Sequence, residues 1–323
     1  MDIECNFLYK DSKFDISEER ARNYLKLNNI EYYVSYLNAN YKSNKGGNSF
    51  VYALYTAQID NEDAIPEKVI KISKYYEKYI NNRIKKSYKN NRFRQEIEAL
   101  YDCKAKKVNN IIDIDCDGNL ICKTYGCKDK IVSFPFYVME YAESDLKSFF
   151  ENNEETYDIA TRIELCLQIA QGIKELHELG YYHRDIKPDN IFMVDHTWKI
   201  GDLGLIQMRN KPTYDKLGEL VGPKGWLSPE AMNKYLSESV NEQKFDCNID
   251  HQSDIFQLAK VFWYILQGNA PIGCVEESDF LLHNTSLYSL LREMLNHAKQ
   301  RRPHSIDEVI QKLQSIIDEY TKV

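Results

Sequence analysis

The run His183-Arg184-Asp185-Ile186-Lys187-Pro188-Asp189-Asn190 places a carboxylate, an amine and a carboxamide within six residues. Asp202 follows inside Gly201-Asp202-Leu203-Gly204. Phosphoryl transfer from a nucleotide needs few chemical parts. A carboxylate orients the acceptor hydroxyl and takes its proton. Hard oxygen ligands hold a divalent metal on the phosphate oxygens. A cation offsets charge on the moving group. Asp185, Asn190, Asp202 and Lys187 supply these parts within eighteen residues.

Those residues need a scaffold, and the patterning describes one. Ser49 to Ala57 is rich in aromatic and β-branched residues, and Lys68-Val69-Ile70-Lys71-Ile72 reads as another strand. From about Tyr32 to Lys74 the chain is mostly strand, and residues 76 to 102 are helical in part. Asn109 to Met139 returns to strands, with Asp117-Gly118-Asn119 read as a turn between two apolar runs.

Beyond Asp145 helices dominate. Thr161 to Leu179 carries Cys166, Ile169, Ala170, Ile173 and Leu176 on one face, and Gly180 stops it. Ile255 to Leu266 is apolar nearly all round, as a helix buried in a lobe is. Ser305-Ile306-Asp307-Glu308 is a capping box opening the last helix. The expectation is an α+β fold of two lobes. Residues 1–31 form an N-terminal extension with a helix near Glu18 to Leu27, opened by Ser17. Residues 32–141 form a strand-rich lobe, and residues 142–323 a helical one.

The chain has 323 residues, of which 43% are hydrophobic and 28% charged, enough to build a core and exclude wholesale disorder. No run of about 18 apolar residues exists, so no membrane-spanning helix is expected, and the first residues do not read as a secretory signal. Net charge is −7, which argues against a general nucleic-acid binder. From Lys68 to Arg94, however, ten basic residues stand against one acidic, leaving −16 for the remainder. That tract is either a solvated helix face or a surface for an anionic partner. Eight scattered cysteines suggest reduced thiols in a cytosol rather than a disulfide framework. Cys116, Cys122 and Cys127 lack both C-x-x-C spacing and a flanking histidine, so zinc is not expected.

The catalytic run and the following D-L-G resemble the eukaryotic-type protein kinase family, over about Tyr32 to Tyr320. The resemblance implies that Asp185 is the catalytic base, that Lys187 steadies the transferred group, and that Asn190 and Asp202 hold magnesium. Lys71, in Val69-Ile70-Lys71, resembles the strand lysine that pairs with the α- and β-phosphates of ATP. Its partner on the next helix is Glu96, with Glu98 as the alternative. Asn44 to Tyr52 aligns with the glycine-rich loop. There Asn44 and Ser49 replace the first and third glycines, while Gly46 and Gly47 leave backbone N–H groups able to approach phosphate. Phe136 to Ala142 resembles the hinge: Met139 borders the adenine pocket, and backbone groups of Glu140 and Ala142 meet the adenine edge. Val51 and Val69 roof the ring and Phe192 floors it.

The activation segment then runs from Asp202 to Glu230, with Ser228-Pro229-Glu230 in place of A-P-E. Glu230 is expected to pair with Arg302, and Asp254 to anchor the catalytic loop backbone. An insertion within Leu236 to His251 reads as a surface loop. Thr213 and Tyr214 are candidate phosphosites, and Arg184 the group a phosphate there would meet. Lys187 resembles serine/threonine kinases, whereas Pro223 stands where a threonine that braces the catalytic aspartate and lysine is expected.

The resemblance therefore implies an ATP- and magnesium-dependent, self-phosphorylating protein serine/threonine kinase, cytoplasmic, with protein substrates and no nucleic-acid partner. The alternatives are a pseudokinase scaffold, a dual-specificity kinase, or a small-molecule kinase of related fold, which Ser228-Pro229-Glu230 disfavours. Oligomeric state is not legible.

Overall fold

Val69, Ile70 and Ile72 are β-branched, and Lys68–Ser73 forms a strand buried along most of its length. In the computed structural model it is a central strand of a large sheet. The structure describes residues 1–4, 8–10, 13–16, 23–37, 48–56, 64–81, 83–125, 131–152, 157–216, 218–237 and 245–320. The chain divides into two units: Met1–Tyr101 with Asp113–Tyr141, and Asp102–Ile112 with Ala142–Val323.

The first unit is strand-rich. In chain order it holds β1 (Asp2–Glu4), β2 (Leu8–Lys10), β3 (Lys13–Asp15), β4 (Tyr24–Leu27), β5 (Ile30–Ser35), β6 (Ser49–Tyr55) and β7 (Lys68–Ser73). Next come β8 (Glu77–Ile80), β9 (Arg83–Lys85), helix α1 (Asn91–Lys106), β10 (Ile114–Tyr125) and β11 (Ile131–Glu140). The sheet order is β3-β2-β10-β11-β7-β6-β5-β4, with β1 also on β10, β8 on β11, and β9 on β8. Phe14 lies edge-on to Tyr9, Phe50 and Phe134, with ring centroids 4.9 to 5.3 Å apart, at the centre of its core.

Residues 1–31, set apart above as an extension, contribute four strands to this sheet. The expected helix near Glu18 to Leu27 is corrected for its described part: Tyr24–Leu27 is β4, and residues 17–22 lie outside the described residues. Leu25 and Leu27 alternate into the core. Asn28 and Asn29, at φ of 49° and 68°, then make the tight hairpin turn whose twist suits paired strands.

The turn expected at Asp117-Gly118-Asn119 is also absent. β10 runs straight through it, and Gly118 meets β11 opposite Phe136. A Cβ at Gly118 would stand 2.0 Å from the Met1 carbonyl oxygen, which accepts from the Asn119 N–H at 2.7 Å. The glycine serves a close backbone approach, not a reversal.

The basic tract is not a helix face. It covers β7, the β8–β9 hairpin and the start of α1. Lys68, Lys71 and Arg94 are paired with Asp115, Glu96 and Glu77, while Arg83, Lys85 and Lys86 are exposed.

The second unit is helical, with short strand pairs. It holds β12 (Ser144–Asp145), α2 (Leu146–Asn152), α3 (Ile159–Glu178), β13 (Tyr181–Tyr182), β14 (Ile191–Val194), β15 (Thr197–Ile200) and β16 (Gln207–Met208). Helices α4 (Pro229–Leu236), α5 (His251–Gln267), α6 (Thr285–Met294) and α7 (Ile306–Tyr320) follow. Asp158 caps α3 by accepting from the Thr161 N–H at 2.8 Å, and Gly180 leaves it at φ +81°. Helix α5 starts at an Asp250 cap and ends at Gly268, φ +79°. Most of its residues are buried, as its apolar run requires. At α7, Ser305 Oγ accepts from the Glu308 N–H, but the Glu308 carboxylate returns to the His304 N–H rather than to Ser305.

Candidate active site

In the first unit, β7 holds Lys71 where a buried strand side chain must point inward. Its Nζ lies 2.7 Å from Glu96 Oε1 on α1, and both side chains are under a tenth exposed. The Tyr137 hydroxyl donates to the same carboxylate oxygen at 3.0 Å, and the ammonium lies 5.7 Å from the Tyr137 ring centroid. A buried pair of this kind holds only when such further bonds satisfy it. Glu98, the alternative partner, faces solvent. Val69 pairs with Met139, and Val51 with Lys71, so these sheet residues sit in adjacent registers. The Glu140 N–H donates to the Asp113 carbonyl, and the Glu140 carboxylate accepts from the Asp113 N–H at 2.7 Å. Ser49 begins β6 and is buried. Gly46 and Gly47 lie outside the described residues.

In the second unit the chain between β13 and β14 carries the catalytic run. Asp254, wholly buried on α5, accepts from the backbone N–H of His183 and of Arg184, each at 2.8 Å. Its Oδ2 also lies 2.9 Å from His177 Nε2. Burial pushes this carboxyl up, but the hydrogen bond with His177 and that from the Arg184 N–H hold it below the ordinary carboxylate range. The Asp185 N–H donates to His183 Nδ1 at 3.2 Å, so the imidazole proton sits on Nε2 and points to the Gly201 carbonyl, 3.2 Å away. Burial lowers the His183 pKa, in keeping with that neutral ring. One imidazole thus ties the loop of Asp185 to the residue before Asp202.

Asn190 donates from Nδ2 to the Asp185 carbonyl at 2.9 Å and to its Oδ2 at 2.8 Å. Lys187 Nζ stands 3.7 Å from the same Oδ2. Burial raises the Asp185 pKa to about 6, and Asp202 pushes the same way, while Lys187 and Asn190 oppose it. Asn190 and Gly201 lie side by side at the open end of the β14–β15 pair, with the Gly201 N–H on the Asn190 carbonyl at 2.9 Å. Asp202 follows at φ 50°, a left-handed conformation that aspartate tolerates better than most residues. A Cβ on Gly201 would lie 2.8 Å from the Phe192 ring, so glycine lets that ring close over the backbone. Ala142 lies just before β12, half-buried.

Among the described residues no three His, Cys, Asp or Glu side chains gather into a metal cage. Asn190 and Asp202 offer few protein oxygens. That donor set fits a magnesium ion that keeps waters and phosphate oxygens in its shell, and does not fit zinc.

Glu230 and Arg302 form the expected pair, with Arg302 Nη2 2.8 Å from Glu230 Oε1 and both side chains buried. Ser228 caps α4, with Pro229 at its first position. The Arg184 guanidinium does not await a phosphate: it donates to both oxygens of Asp215 and to the Leu205 carbonyl. Thr213 accepts from the Asp215 N–H at 3.1 Å, and Tyr214 is exposed. Of the Leu236 to His251 insertion, residues 238–244 lie outside the described residues. Sequence reasoning missed Asp215, Tyr137 and Gln257. Only Gln257 left a signal, a polar residue in an apolar helix three positions after Asp254.

The protein kinase domain family model matches residues 68–322. The chain belongs to the protein kinase family, and its strand-rich N-terminal part and helical C-terminal part are the α+β kinase fold. It is 28% identical over 196 residues to the sensor for unfolded proteins in the ER, ire1, of Schizosaccharomyces pombe, covering 54% of this chain and 18% of that one. A probable serine/threonine-protein kinase of Clostridium perfringens is 24% identical over 238 residues, 71% of this chain and 30% of that protein. An inactive serine/threonine-protein kinase/endoribonuclease IRE1-like protein of Arabidopsis thaliana is 24% identical over 182 residues, 51% of this chain and 31% of its own. The chain spans about a fifth to a third of the length of these relatives.

Proposed function

We propose that the protein transfers the γ-phosphoryl group of ATP to serine or threonine hydroxyls of proteins, itself included, with magnesium. The observation that carries this reading is the Asp185 carboxylate, set between Asn190 and Lys187 on a loop pinned by Asp254. In the reaction the acceptor oxygen bonds to the γ-phosphorus as the bond to the β-γ bridging oxygen breaks, and the hydroxyl proton passes to Asp185. Lys187, beside that carboxylate, offsets charge on the moving group. Asn190 and Asp202 would hold magnesium, which supplies charge neutralisation on the phosphates. Lys71, oriented by Glu96, takes the α- and β-phosphates, for which the resemblance also assigns Gly46, Gly47 and Ser49. The resemblance assigns the adenine to Val51, Val69, Met139, Glu140, Ala142 and Phe192.

Lys187 supports serine/threonine rather than tyrosine acceptors. A cytoplasmic location is the reading favoured by six free cysteines among the described residues. Among those residues no helix is long and apolar enough to cross a membrane.

The test is transfer of labelled phosphate from ATP with magnesium, wild type against Asp202→Ala, with phosphosites mapped by mass spectrometry. Label on serine or threonine in wild type and none in the variant is the expected result. No label from folded wild type, across a productive substrate panel, overturns the enzyme reading in favour of a pseudokinase scaffold. Label on tyrosine as well makes it dual-specificity.

A further inference from the structure

Pro223 leaves a vacancy in function. The side chain expected there braces the catalytic aspartate, and proline carries no hydroxyl. The structure assigns that bracing to Gln257 of α5, a positioning residue for Asp185. The side chain is fully buried. Its Oε1 accepts from the Ile186 N–H at 3.0 Å, and its Nε2 donates to the Arg184 carbonyl at 3.2 Å. Those two groups flank Asp185 on either side. A carboxamide is the side chain that can do both, because it carries an acceptor and a donor on one rigid plane.

Asp254 lies three residues earlier on the same face and takes the N–H groups of His183 and Arg184. Together the two side chains fix three N–H groups and one carbonyl of residues 183–186. They also hold Arg184 at φ 68°, a conformation that a non-glycine residue rarely keeps without support. Bonds on both flanks of Asp185 limit the rotation of its peptide units, and therefore the direction of its carboxylate.

The same face of α5 grips the segment that contains Pro223. A Cβ on Gly222, at φ +114°, would lie 3.1 Å from the Arg184 carbonyl oxygen and 3.2 Å from Gln257 Nε2. Glycine there admits the bond. One turn on, Lys260 Nζ donates to the Gly225 carbonyl at 2.6 Å, and Tyr264 meets the Trp226 ring edge-on. Gln257 thus belongs to a helix face that secures both the catalytic loop and residues 222–226.

The rate effect rests on the kinase reading, whereas the bracing does not, and the test separates them. The full chain is compared with Gln257→Met, which keeps volume and loses both hydrogen bonds. Hydrogen exchange at the Ile186 amide should speed up at least about tenfold in the variant as its partner is lost. Turnover should fall by about 10- to 100-fold in kcat, with KM for ATP changed less than about threefold. Unchanged exchange at Ile186, or kcat within about twofold of wild type with only a lower melting temperature, overturns the assignment. Where Gln257→Met fails to fold, Gln257→Ala, which also loses both hydrogen bonds and introduces no bulk, carries the same comparison. A wild type without turnover defeats the kinase reading alone, and the exchange measurement still decides the brace.

Discussion

Arg184 holds Asp215 with both terminal nitrogens, each 2.9 Å from a different carboxylate oxygen, and the two side chains are 3% and 1% exposed. Lys234 of α4 adds a second cation to the same carboxylate. A carboxylate built into the chain therefore occupies the guanidinium that a loop phosphate would otherwise meet. Burial pushes the Asp215 carboxyl up, but Arg184 and then Lys234 outweigh it and hold the group well below the ordinary range.

The first prediction follows from that clamp. Asp215→Ala leaves two cations facing a small cavity and should cost about 3 kcal/mol of stability, read from the urea midpoint. Thr213→Ala, and phosphatase treatment of wild type, should leave turnover within about twofold. A tenfold loss on dephosphorylation would show that a phosphate is needed as well. The carboxyl is depressed, so its stabilisation is complete above the unfolded value near pH 4 and fades only as pH falls below that. Between pH 5 and 8 the clamp should show no titration.

Asp185 behaves in the opposite sense. Its pKa is raised to about 6, and only the ionised form accepts a proton, so kcat/KM should fall about tenfold for each pH unit below that value. Burial of the charge works against the fold at neutral pH. Stability from this group is full below about pH 4 and is lost as pH rises through about 6. Asp185→Asn should therefore be inactive yet more stable at pH 7, by on the order of 2 kcal/mol, with the difference vanishing near pH 4. Equal melting of the two proteins at pH 7 would contradict the buried carboxylate.

Lys71 and Glu96 offer a comparison within one ion pair. Lys71→Met keeps the stem packed and should abolish turnover, but it leaves the buried Glu96 carboxylate with the Tyr137 hydroxyl and should itself cost about 3 kcal/mol. Glu96→Ala strands the ammonium beside Tyr137 and should destabilise by about 3 kcal/mol, besides slowing turnover. If neither substitution lowers the melting temperature, burial of the pair carries less weight than the 2.7 Å contact implies.

The Glu230–Arg302 pair is a structural counterpart, with Arg302 also donating to the carbonyls of Gln252, Asn296 and His297. Arg302→Ala should cost about 3 to 5 kcal/mol by denaturation. Arg302→Lys should recover little of it, because an ammonium lacks the planar fork.

Much of this site is legible in the sequence because its chemistry is local. Asp185, Lys187, Asn190 and Asp202 fall on one loop and the strand pair after it, so their spacing alone brings them together. Lys71 and Glu96 required a strand and a helix to be placed, and both were. Asp215 was hidden because its partner lies 31 residues away and nothing beside it advertises a buried carboxylate. Gln257 left a signal as a polar residue in the apolar run of α5, but its role cannot be read until the loop it faces is known. The fold failed to read where tertiary contacts overrule local pattern. Asp117-Gly118-Asn119 has the composition of a turn, but the backbone of Met1 beside Gly118 makes it a strand. Glu18 to Leu27 has helical composition, yet Leu25 and Leu27 gain more by alternating into the sheet core beside β5.

The parallel contact between Asp2–Glu4 and Asn119–Ile121 has a cost in time. At synthesis rates of about 5 to 20 residues per second, residue 3 leaves the ribosome roughly 6 to 25 seconds before its partner at residue 120 exists. Until then β1 has no strand to lie against, and β2 has only β3. Closing so long a loop gives little back before β10 is in place. The edge that β1 and β2 complete is therefore among the last parts of this sheet to close, although its residues are made first.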